Sequence, residues 1–169
     1  MPLSHKPETE ILVTADCWQR ESGAEAAIHR AIEAAAQTLE AETFDAELAI
    51  MLTDDDGIRT LNKNWRGIDR PTNVLSFPAL QPVGPLDEDD DPRMLGDIAI
   101  AYETTRAEAD AEQKPFESHL SHLAIHGFLH LIGYDHEKDT DAEIMEELER
   151  KILAQLGIPD PYAIEGQVN

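Results

Sequence analysis

Cysteine is almost missing from this chain of 169 residues, with Cys17 standing alone. That excludes an internal disulfide and any cysteine-based zinc cluster, and it fits a reducing compartment. Positive charge is scarce as well: 13 Lys and Arg face 35 Asp and Glu, for a formal charge of −22. A field of that sign repels polyanions at long range, so contact with one has to rest on a local grouping of cations. No stretch approaches the roughly 20 apolar residues that span a bilayer. The opening residues 1–8 also lack the basic start and apolar run of about 7–15 residues that mark a secretion signal. The expectation is a cytoplasmic protein with no membrane partner.

What is present suffices for one core. A chain of this length with 41% hydrophobic residues buries about 70% of its unfolded surface. A single domain over residues 1–169 is expected. Residues 9–15 favour a strand, an Ala-rich helix runs to about residue 40, and alternation in Ala46, Leu48, Ile50 and Leu52 predicts a strand over 45–53. Strands are expected again at 73–77 and 96–102, with an extended acidic loop at about 80–95 around Asp87-Glu-Asp-Asp-Asp91. Helices follow at roughly 103–112 and 117–132. Thr140 and Glu143 form a candidate capping box opening a last helix to about Leu156, with Ile144, Leu148 and Ile152 on one side. Strands alternate with helices early and helices dominate late. This predicts an α+β domain, a small mixed sheet packed with helices.

Of the few cations, Arg59, Lys63, Arg66 and Arg70 fall within twelve positions. The first three share one helical face, while Ile58, Leu61 and Trp65 occupy another and are expected to meet the core. The competing expectation is a solvated face paired with nearby aspartates.

The strongest signal is His126-Gly-Phe-Leu-His130-Leu-Ile-Gly133-Tyr-Asp-His136. Helical residues four apart stand one turn above each other, so His126 and His130 reach one ion. Continuing the helix would carry residue 136 roughly 240° around and about 9 Å along from His130. The chain must turn back, and Gly133, free of a Cβ, permits the left-handed conformation that does so. Three imidazoles and an open fourth position suit one catalytic zinc ion, which lowers the pKa of its water to about 7. His119 and His122 fall near the same face, but His122 and His130 are about 12 Å apart along the axis; His122 with His126 is a competing pair, and the placement of Gly133 and His136 favours His126 with His130. His119 and His122 are expected to be structural or to support the ligands, with His122 nearer the site.

Several separated segments resemble one family, the YbeY endoribonucleases. They are Leu61-Asn-Lys-Asn-Trp-Arg66-Gly67, Arg70-Pro-Thr-Asn-Val-Leu-Ser-Phe-Pro78, Leu95-Gly-Asp-Ile-Ala-Ile100 and the histidine segment. The resemblance implies a metal-dependent hydrolase cutting single-stranded RNA in ribosomal RNA maturation, at the 16S 3′ end, and in ribosome quality control. The small ribosomal subunit and assembly proteins are its implied partners. It also implies His126, His130 and His136 as zinc ligands and Arg66 as a required arginine. Asn73 stands where many members carry aspartate, so no acid role is carried over to it.

The chemistry of the residues narrows the alternatives. Metzincin proteases share the histidine spacing but place a glutamate general base directly after the first histidine, where this chain has Gly127. A protease would need a carboxylate from elsewhere, Glu103 or Glu117 being candidates. A non-catalytic zinc-containing assembly factor would need a fourth protein ligand such as Asp135 or His122. For phosphodiester cleavage, charge on the phosphoryl oxygens calls for a permanently charged planar group. Arg66 is the candidate catalytic residue, with Lys63 and Arg70 guiding the strand.

Overall fold

A computed structural model describes residues 7–39, 46–79, 93–135 and 137–162. Strands β1 (Glu8–Val13), β2 (Ala46–Thr53), β3 (Val74–Pro78) and β4 (Arg93–Ala101) form one sheet in the order β1-β2-β4-β3. The first three neighbours are parallel and β3 runs antiparallel to β4. Helices α1 (Ala24–Leu39), α2 (Asp55–Arg66), α3 (Tyr102–Ala111), α4 (Phe116–Leu131) and α5 (Asp139–Gln155) complete it. The α+β architecture with a small mixed sheet is thus as its pattern predicts. The acidic loop expected at 80–95 gives up its last three residues to β4, and the rest of it lies outside the described residues.

Period-two alternation sends the two sides of β4 to different cores. Ile98 and Ile100 join Leu48, Ile50 and Leu52 of β2 beneath α1, α4 and α5. Ala99 and Ala101 face the opposite side, where Ile58 of α2 and Leu75 cover them. Helix α4 lies close on the sheet because Gly127 has no side chain: a Cβ there would come within 3.0 Å of Ile98. Gly96 sits where the register between β2 and β4 shifts, at a φ of 138°, and a Cβ would strike the Phe77 carbonyl.

Two helical faces differ from expectation. Trp65 is 72% exposed and does not enter the core; Ile58 and the amide of Asn62 fill the buried side of α2. In α5, Ile144 is 54% exposed, while Met145, Glu149, Ile152 and Leu153 are buried, rotating the buried face by one residue. The capping box at Thr140 and Glu143 does not form. The helix already begins at Asp139, its cap residue Lys138 makes no side-chain cap bond, and Asp139 and Asp141 set negative charge in the first turn.

Candidate functional site

Helix α4 ends as its glycine requires. The Gly133 amide donates to the His130 carbonyl at 3.1 Å, the Tyr134 amide to that of Leu129 at 3.0 Å, and Gly133 has a φ of 105°. The chain beyond it turns back along a cleft of about 710 Å³ between the end of α4 and the segment from α2 to β3. His126, His130, Arg66 and Arg70 line this cleft, together with Asn73, Ser76, Asp135 and Glu137. Lys63, exposed on α2, is not in its lining.

The two histidines meet through their Nε2 atoms, 3.1 Å apart. His126 Nδ1 lies 2.7 Å from Glu149 Oε2; the ionised carboxylate accepts a hydrogen bond from Nδ1–H, the tautomer that leaves Nε2 as a lone-pair donor. Two Zn–N bonds of about 2.1 Å at a tetrahedral angle place their nitrogens about 3.4 Å apart, close to the separation seen. A carboxylate on the far nitrogen of a ligating histidine is also the usual support of such a site. Both observations fit a metal ion. Among the described residues no group of three His, Cys, Asp or Glu is arranged to hold one, and the expected third ligand, His136, lies outside the described residues.

Glu149 is the centre of this support. Its side chain is fully buried, and besides His126 it accepts from His122 Nε2 at 2.9 Å and from the Tyr162 hydroxyl. Burial pushes its carboxyl upward, yet hydrogen bonds from His122, His126 and Tyr162 outweigh this and hold it down to about 2. Burial and the Glu149 charge push the Tyr162 phenol well above its ordinary value. Sequence reasoning missed Glu149. Its signal was a carboxylate on a buried helical face, four residues after Met145 and three before Ile152.

Upstream on α4, His119 Nε2 lies 2.8 Å from Glu108, which also accepts from Asn73 Nδ2 at 3.0 Å. His119 and His122 therefore both point to carboxylates, and His122 shares Glu149 with His126. Its Nε2 also lies 3.2 Å from Tyr162, a geometry directed away from a role as fourth ligand.

Arg66 closes α2, and Gly67 follows in the left-handed conformation at a φ of 71°. Its Nη2 donates to the Ser76 carbonyl at 3.1 Å, which holds the guanidinium over β3 at the cleft wall. Asn62, buried behind it, donates from Nδ2 to the Arg70 carbonyl at 2.9 Å and so fixes the loop that carries Arg70. That role was not read from the sequence. Arg59 instead takes the solvated alternative, an ion pair with Asp69 at 2.7 Å.

The carboxylates considered for a protease lie elsewhere. Glu103 accepts from the Asp55 amide at the start of α2, and Glu117 stands beside Gly23 and Arg30. Position 127 faces Ile98 in the core, so a side chain there would not serve the cleft.

Residues 14–157 match the family model described as Endoribonuclease YbeY. A protein of that name from a Bradyrhizobium species is 71% identical over 163 residues, 96% of each chain. Another from Nitrobacter winogradskyi is 74% identical over 163 residues, 96% of this chain and 86% of its own length. The solution structure of a Thermotoga maritima protein is similar with a TM-score of 0.58 and 26% identity, covering 94% of this chain and 98% of that one.

Proposed function

The chain belongs to the YbeY endoribonuclease family, and from that premise we propose that it is a zinc-dependent hydrolase of phosphodiester bonds in single-stranded RNA, acting in maturation of the 16S 3′ end and in ribosome quality control. One zinc ion is to be held by His126, His130 and His136. The observation that carries this reading is the Nε2 pair at 3.1 Å, with His126 fixed through Nδ1 by Glu149, opening on a cleft lined by two arginines. Bound zinc supplies Lewis-acid polarisation of a water or of a phosphoryl oxygen.

The residues of the chain do the rest. Arg66, held by the Ser76 carbonyl, presents spare N–H groups to a phosphate and offsets the charge that builds as the bond breaks. Arg70, on the loop tied down by Asn62, guides the strand along the cleft. Lys63, one helical turn before Arg66 and outside the cleft lining, is confined to attraction of the strand at its approach. The resemblance to the family supports the small ribosomal subunit and its assembly proteins as the setting.

The test combines bound metal, measured by mass spectrometry, with cleavage of single-stranded RNA in wild type, His126→Ala and Arg66→Ala. Loss of metal and activity is expected in the first. Arg66→Ala should keep its metal and lose about 100-fold in cleavage. Undiminished cleavage by metal-free protein or by Arg66→Ala would sink the proposal.

A further inference from the structure

The face of the sheet opposite α4 is only partly covered. Helix α2 packs on β3 and β4, and beside it lies a second hollow, of about 960 Å³, lined largely by apolar groups including Leu12, Met51, Phe77 and Met94. On its rim stands Trp65, 72% exposed, with its indole centred 6.2 Å from the Phe77 ring at an angle of 57°. A tryptophan left in water on a helix whose neighbouring Ile58 is fully buried contributes little to the core.

The position of Trp65 relative to charge identifies what it suits. Arg66 and Ser76 line both this hollow and the histidine cleft, so the two adjoin at the guanidinium. That guanidinium lies 5.9 Å from the Phe77 centroid. An aromatic surface beside a guanidinium matches a nucleotide, whose phosphate seeks the cation and whose base offers a flat apolar face.

We propose that Trp65, packed against Phe77, is a stacking site for a nucleobase of single-stranded RNA adjoining the phosphate bound at Arg66. This rests on the endoribonuclease reading above and adds to it a subsite outside the cleft. Stacking is sequence-tolerant because every base has a π-face, so the site selects unpaired strands rather than a base identity.

Binding decides the matter, measured with a short 2′-O-methyl oligoadenylate and with an abasic strand of equal length. Wild type, Trp65→Phe and Trp65→Ala are compared, with thermal melting to confirm that each is folded. Trp65→Ala should bind the base-bearing strand about tenfold more weakly and the abasic strand unchanged, while Trp65→Phe keeps most of the affinity. The base-bearing strand should also quench the fluorescence of exposed Trp65, Trp18 being buried at 4% exposure. Equal affinity of wild type and Trp65→Ala for the base-bearing strand overturns the proposal. So does a change in sedimentation on Trp65→Ala without a change in RNA affinity, which would make the groove a protein contact. If no preparation cleaves RNA yet Trp65→Ala loses only base-dependent binding, the nuclease reading falls and the stacking site stands. If His126→Ala abolishes cleavage and Trp65→Ala binds as wild type, the reverse holds.

Discussion

Helix α4 carries two pairs of histidines in succession, and what surrounds each pair sets its chemistry. His119 and His122 direct Nε2 at Glu108 and Glu149, whereas His126 and His130 direct Nε2 at each other across the mouth of a cleft. One carboxylate, Glu149, links the pairs by bonding both His122 and His126. Imidazoles of one helix thus divide into a supporting set and a converging set, and the carboxylates come from two other helices, Glu108 from α3 and Glu149 from α5. A ring whose nitrogen is held by a carboxylate acts through its neighbour. A ring whose far nitrogen is held keeps the near one for a ligand.

The sharpest way to break this comparison is to remove one member of each pair. His130→Ala should lose bound metal and more than about 1000-fold in RNA cleavage, a full ligand loss exceeding the 10- to 100-fold effects typical of supporting groups. His122→Ala should stay within that smaller range. Equal losses in the two variants, read by metal analysis and initial rates, would erase the distinction.

Glu149 comes next in size. Glu149→Ala leaves buried donors of His122, His126 and Tyr162 unmatched and is expected to cost about 3 kcal/mol in chemical denaturation. Glu149→Gln, near in shape, should fold better but weaken metal affinity about 10- to 100-fold. A glutamine variant with wild-type metal affinity would show that the carboxylate does not set the His126 tautomer.

The smallest effect concerns pH and the upstream pair. Burial lowers the His119 pKa below 6.5, with Lys114 adding to it and Glu108 and Glu112 opposing. Well above pH 6.5 the ring is neutral in both folded and unfolded chains and contributes no slope. Below it the unfolded chain takes up the proton first, so stability falls as the pH drops. Melting temperatures followed downward from pH 7 should decline less steeply in His119→Gln than in wild type. Parallel curves would place His119 in no such role.

Much of the fold was legible because local periodicity carries it. The histidine helix, predicted over 117–132, runs from Phe116 to Leu131, and the alternation at 45–53 gives a strand from Ala46 to Thr53. Faces were harder to read. Trp65 and Ile144 have helical spacing that suits burial, yet each is exposed, because spacing within a helix does not say which face the rest of the chain covers. At the candidate site the His126 and His130 pair and the turn at Gly133 followed from spacing, since both are fixed within one helix and its end. Glu149, Asn62 and the Glu108 link between Asn73 and His119 did not, because their partners lie eight to 35 residues away in sequence.

From the order of residues alone came the single cysteine, the acid excess with its one cationic cluster, the histidine spacing and the alternation of strands and helices. These depend on composition or on contacts within a few residues, where backbone geometry leaves little choice. The strand order β1-β2-β4-β3, the carboxylate behind His126, and the junction of cleft and groove at Arg66 were decided by the tertiary structure. Each joins elements distant in the chain, and their meeting is set by which apolar faces bury each other rather than by any local pattern.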